Sequence, residues 1–158
     1  MTAVKDPFES WDLSPNTVSL LVEEGFIYDS SMMGHDSPPY EVRVGDASPK
    51  DGTFKFGDAS NLIEMPVSWK LDDFPHFEYI FTHPGSGLRA GPAVLENWIN
   101  DFEYMYENVD SGLFSIVFHP QIIGRGHRML MLEKLIRHVP GKRNVWITTL
   151  EQVANASS

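Results

Sequence analysis

The sequence contains no cysteine. That excludes a disulfide framework and thiolate metal sites, and it removes any sign of an oxidising compartment. Positive charge is scarce as well: 12 lysines and arginines stand against 22 aspartates and glutamates, a formal net charge of -10. A field of that sign repels phosphate and argues against nucleic acid or an anionic membrane as partner, and no basic stripe offsets it. No apolar run approaches the length of a membrane span. The opening "MTAVKDPFES" lacks the apolar stretch of a signal peptide, so a cytoplasmic chain is expected. Familiar catalytic spacings are missing too. There is no G-x-S-x-G elbow and no glycine-rich phosphate loop, and none of the six histidines are spaced H-x-x-x-H or H-x-H.

What the chain does have is enough apolar material for a core. Its 158 residues are 42% hydrophobic and include four tryptophans, which suits one globular domain rather than two. "LSPNTVSLLVEEGF" carries helix punctuation: Ser14 as cap, Pro15 in the first turn, Val18, Leu21 and Val22 on one face, and Gly25 as the left-handed stop. "FIYDSS" reads as a short strand. The Gly-, Pro-, Asp- and Ser-rich stretch from about Pro38 to Asn61 reads as a long loop. "LIEMPVSW" is the next strand, ended by Pro66, and a second irregular stretch runs from Leu71 to Gly91.

From Pro92 to about Asn108, Leu95, Trp98, Phe102 and Met105 recur at helical spacing. "LFSIVF" reads as a strand buried on both faces. A helix from about His127 to His138, the strand "NVWITT" and a terminal helical turn "LEQVANA" complete an order α-β-loop-β-loop-α-β-α-β-α, with a frayed "NASS" tail. Alternating strands and helices predict an α/β fold with a parallel sheet and crossover connections. Working groups in such sheets gather at the C-terminal ends of strands, where Asp29, the 66–73 stretch and His119 all fall.

His119 ends an apolar strand and precedes Pro120, which biases it towards extended geometry. It reads either as a packed histidine with one satisfied nitrogen or as a strand-end general acid. Asp29 is either a turn or cap residue or the carboxylate that holds the His119 tautomer. Asp72 and Asp73, as sequence neighbours, are expected on different faces, in a solvated loop or a cleft wall. With His76 they match no recognised metal spacing. Arg125, in "GRGHR", reads as an anion or substrate contact or as a cap on the preceding strand's carbonyls.

"WDLSPNTVSLLVEEGFIYDSSMM", "LIEMPVSWKLDDFP" and "FSIVFHPQIIGRGHRMLMLEKLIRH" together resemble the C-terminal half of NodB-type polysaccharide deacetylases, carbohydrate esterase family 4. The branch they look most like holds peptidoglycan-deacetylase-, allantoinase- and cyclic-imidase-like proteins. The resemblance covers residues 11–154, leaving 1–10 as a divergent segment and 155–158 as a tail. It implies part of a distorted (β/α) barrel and metal-assisted hydrolysis of C–N bonds in N-acetylated sugars or cyclic imides. It casts His119 as the acid that protonates the leaving nitrogen and Asp29 as the carboxylate that orients it. Trp69, Asp72, Asp73 and Arg125 become substrate contacts.

The resemblance also implies absences. The family's catalytic-base and metal-ligand aspartates, in a T-F-D-D-like motif, and its H-x-x-x-H metal histidines all precede the matched region. Where the family has R-x-P-G-W, this chain reads "PFESW", so only Trp11 agrees and the arginine that orients the base is missing. The expectation is a truncated hydrolase, silent alone, with no metal ligands and no cofactor of its own although the family uses a divalent metal, often zinc. An open first-strand edge and uncovered apolar faces are expected with it. The alternatives are a non-catalytic carbohydrate-binding or interaction domain, or a half completed by a second chain. Expected partners are a carbohydrate or small cyclic amide, an oligomer, or that complementing chain.

Overall fold

The computed structural model describes residues 16–47, 52–80 and 87–157. Ser14, Pro15, Trp11 and the 1–10 segment lie outside them. The chain divides into two compact units, residues 1–66 with 148–158, and residues 67–147.

In the first unit, α1 (Thr17–Glu23) begins after Asn16 and stops at Gly25, whose φ of 74° is the left-handed turn-off expected there. The N–H of Gly25 donates to Val22 O at 3.1 Å, and that of Phe26 to Leu21 O at 3.0 Å. Three strands follow: β1 (Tyr28–Asp29), β2 (Tyr40–Val44) and β3 (Asp58–Glu64), in spatial order β1-β3-β2. β1 runs parallel to β3 and β2 antiparallel, so the sheet is mixed rather than parallel throughout. The long loop expected over residues 38–61 is therefore largely a hairpin. Tyr40, Val42 and Val44 alternate with Glu41 and Arg43, a period of two that pins β2 to β3 despite its turn-rich surroundings. Tyr28, Val42, Leu62, Ile63, Met65 and Ala154 are its buried apolar side chains.

β1 is an edge strand of that sheet, as expected, yet Tyr28 and Asp29 are buried. The tail is not frayed. α6 (Leu150–Ser157) runs through Asn155 and Ser157, whose side chains donate back to Glu151 O and Val153 O.

The second unit is built on helices. A 3-10 turn (Trp69–Leu71) leads into α2 (Asp73–Phe77), and α3 (Gly91–Asn108), α4 (Pro120–Ile123) and α5 (Gly126–His138) follow. The core joins Leu71, Phe77, Val94, Trp98, Ile122, Ile123, Met131 and Leu135. Val94, Trp98 and Phe102 are the buried stripe of α3, close to the face its spacing predicts. Trp98 also donates from Nε1 to Lys70 O at 2.7 Å, which ties α3 to the turn before α2.

"LFSIVF" and "NVWITT" form no ladder strands among the described residues. The first makes one isolated parallel bridge, Val117 to Asp72, and its side chains are half-buried. In the second, Trp146 and Ile147 are 61% and 69% exposed. An apolar run with strand propensity forms a ladder only when a partner strand lies alongside it.

Candidate functional site

That single bridge places the chemistry. The Val117 N–H donates to Leu71 O at 2.9 Å and the Asp73 N–H to Val117 O at 3.1 Å, so residues 71–73 run beside 117–119. Asp73 starts α2 on one side, and His119 caps α4 on the other. Proline in the first turn of each helix costs no hydrogen bond there, and His119 takes the extended conformation expected before Pro120, φ -104° and ψ 118°.

The two side chains meet. His119 Nδ1 lies 2.6 Å from Asp73 Oδ1, and the His119 backbone N–H donates to both Asp73 oxygens at 3.1 Å. A carboxylate only accepts, so Nδ1 carries the hydrogen and Nε2 is the atom left to exchange protons. Asp73 is completely buried while the His119 side chain keeps 13% exposure. Of the two groups, only the imidazole reaches solvent. Phe74 packs edge-on against the imidazole, with centroids 5.4 Å apart.

Asp72 and Asp73 do not point to different surroundings, as their adjacency suggested. Asp72 Oδ1 caps α2 by accepting from the Phe74 N–H at 2.8 Å, and it also lies 3.6 Å from His119 Nδ1. The carboxylate bonded to the His119 ring is thus Asp73, where the sequence reading had placed Asp29. Trp69 lies half-buried in the turn before the two aspartates, and Arg125 is exposed at the start of α5. His76 donates from Nε2 to Lys70 O, 2.9 Å away, and takes no part in the pair.

Asp72, Asp73 and His119 offer ligand atoms within 4.8 Å of one another, which invites the thought of a metal. The geometry does not suit one. Ligand atoms around a tetrahedral zinc stand about 3.4 Å apart given zinc–ligand bonds of about 2.1 Å. The 2.6 Å approach of Nδ1 to Oδ1 is a hydrogen bond with no space for a cation between them. The cluster is a histidine–carboxylate dyad.

Asp29 sits in the first unit, in a second acidic arrangement that the sequence reading missed. It lies opposite Glu64 in parallel register, and both are buried. Glu64 Oε1 accepts from the N–H groups of Ser31 and Met32 at 2.9 and 2.8 Å, and Asp29 Oδ1 accepts from Ser31 Oγ at 3.0 Å. Burial first, and the Asp29 charge second, push the Glu64 carboxyl up to about 8. Glu64 Oε2 has no N–H or hydroxyl donor among the described residues, which fits a Glu64 carboxyl held neutral by burial. The one available signal was an acidic residue inside the apolar run "LIEMP".

Comparison with known proteins agrees with a mixed α/β fold of this kind. No family model matches the chain. It is 34% identical over 156 residues to a peptidoglycan deacetylase of Helicobacter pylori, covering 92% of this chain and 53% of that protein. It is 25% identical over 139 residues to a peptidoglycan deacetylase-like protein of Gibberella zeae, covering 77% and 41%. Among solved structures, one from Mycobacterium smegmatis named for polysaccharide deacetylase superposes with a TM-score of 0.73 at 30% identity, covering 92% of this chain and 46% of that one. The PuuE allantoinase superposes with a TM-score of 0.67 at 25% identity, covering 90% and 42%. The chain spans about half the length of the relatives it matches, and over that span it is similar to polysaccharide and peptidoglycan deacetylases.

Proposed function

We propose that this chain, as part of a polysaccharide deacetylase, carries the proton-donating portion of a hydrolase acting on C–N bonds. The observation behind the reading is the 2.6 Å contact between His119 Nδ1 and a fully buried Asp73 carboxylate. Amide hydrolysis adds water across the C–N bond: hydroxyl ends on the carbonyl carbon, and the departing nitrogen takes a proton. His119 gives that proton from Nε2 as the bond breaks, yielding a carboxylate and a free amine. Asp73 keeps the ring in one tautomer and one orientation by accepting from Nδ1. Asp29, which the family resemblance assigns to this histidine, pairs with Glu64 within the first unit.

By the family resemblance, Trp69, Asp72, Asp73 and Arg125 are assigned to the substrate, an N-acetylated amino sugar within a glycan or a small cyclic imide. The surrounding architecture is read as part of a distorted (β/α) barrel. The divalent metal of the family would polarise the carbonyl and activate water. The described residues do not fit such an ion, and no step is assigned to it here. A general acid alone contributes only about 10²- to 10⁴-fold, far short of amide hydrolysis.

Acetate release from N-acetylated chitooligosaccharide and peptidoglycan tests the reading. The chain alone should release none, with or without added zinc. Fusion to the first half of the Helicobacter pylori relative should restore release, and His119→Ala in that fusion should abolish it. Chelator-sensitive release by the chain alone would contradict the reading, as would full activity of the His119→Ala fusion. Glycan binding that persists without hydrolysis even in the fusion would favour a binding domain.

A further inference from the structure

The dyad stands on two very short helices. α2 has five residues and α4 has four, so each is a single turn with almost no hydrogen bonding of its own to hold it. Asp73 opens the first, and His119 caps the second. Their far ends converge on one side chain. Arg128, in the first turn of α5, donates from Nη1 to Ile122 O at 2.8 Å, near the end of α4. From Nη2 it donates to Phe77 O at 3.1 Å, the last residue of α2. Its guanidinium lies over the Phe77 ring, 4.8 Å from the centroid.

This arginine forms no ion pair with a carboxylate among the described residues, and its Nε is buried without a hydrogen-bond partner. Its charge is instead met by carbonyls at the C-terminal ends of two helices, the ends that carry partial negative charge. A rigid planar fork reaches two such carbonyls at a fixed separation, which a flexible ammonium does not reproduce. A partly buried cation with an unmet N–H is a costly way to hold a helix pair unless the geometry it fixes matters.

We propose that Arg128 is a positioning residue: by clamping the far ends of α2 and α4, it sets the distance between Asp73 and His119 at their near ends. The inference rests on the reading of Asp73 and His119 as the working pair, but it is tested without turnover. With Nδ1–H committed to a buried carboxylate, that proton should give a distinct downfield resonance that exchanges slowly with water. Three variants of the chain separate the outcomes. Arg128→Met keeps the apolar stem over Phe77, Arg128→Lys keeps the charge but loses the fork, and Asp73→Asn alters the acceptor itself.

Exchange of the His119 Nδ1 proton should become at least about tenfold faster in Arg128→Met while the amide spectrum stays dispersed. Arg128→Lys should rescue it only in part. Slow exchange retained in Arg128→Met, with nothing but a lowered Tm, would overturn the proposal and leave Arg128 a purely structural contact. If Arg128→Met does not fold, Arg128→Lys is read alone: exchange as slow as in the parent chain overturns the proposal, and faster exchange supports it. An unchanged resonance in Asp73→Asn would instead sink the dyad itself, a failure distinct from that of Arg128.

Discussion

Asp29 and Glu64 face each other across parallel strands, both buried, with Glu64 Oε1 accepting two backbone N–H groups and Oε2 accepting none. Two negative charges at that separation in a buried sheet would repel. Burial and the Asp29 charge relieve that repulsion by favouring the protonated form of Glu64. Tyr40 on β2 lies in register with Glu64 as well, and burial together with the Glu64 charge raises its hydroxyl.

Folding stability should therefore depend on pH through Glu64. Its folded value, about 8, lies above the ordinary 4.5, so the native state binds more protons than the unfolded chain between those two values. The contribution is complete below about pH 4.5 and is lost as pH rises through 8. Urea unfolding of the parent chain should show stability falling across that window, by up to about 1.4 kcal/mol per pH unit from this group. Glu64→Gln, which keeps the neutral shape and a donor for Asp29, should flatten the fall. Equal pH slopes in the two chains would show that Glu64 is ionised throughout.

Trp98 is completely buried and bonded through Nε1 to Lys70 O. Trp98→Ala should destabilise the second unit by about 3–5 kcal/mol, the usual range for emptying an aromatic core site. Trp98→Phe keeps most of the packing and loses the indole donor, for about 1 kcal/mol. Denaturant melts of the two variants measure the difference. Near-equal losses would mean that the hydrogen bond to Lys70, rather than packing, dominates.

Gly25 ends α1 with φ 74°, and a Cβ there would meet no neighbouring atom within 4 Å. Gly25→Ala should therefore cost only the backbone strain of a left-handed residue, about 1 kcal/mol, with no steric addition. A melt that shows a much larger loss would point to a contact on that face.

The sequence carries the helices because their apolar residues recur at the helical period, as Trp98 and Phe102 do, and because Gly25 and Pro120 mark boundaries by local sterics alone. The hairpin was harder to read. Tyr40, Val42 and Val44 alternate over only five residues between Gly, Pro and Ser, and the partner that makes the alternation meaningful lies beyond a turn. His119 was legible as a candidate, since a histidine ending an apolar run before proline is a local pattern. Its partner was not. Asp73 reaches the ring because one bridge brings 72 beside 117, a contact between distant segments that no spacing rule encodes. Arg128 and Glu64 escaped notice for the same reason: their meaning lies in which carbonyls and carboxyls the fold brings to them.

Zinc content separates a proton-donating dyad from a metal centre. The purified chain, dialysed against zinc and analysed by mass spectrometry for metal per chain, should retain only a sub-stoichiometric trace, and Asp73→Asn should retain no less. One tightly held zinc per chain, lost in both Asp73→Asn and His119→Ala, would contradict the assignment of Asp73 and His119 as a hydrogen-bonded pair.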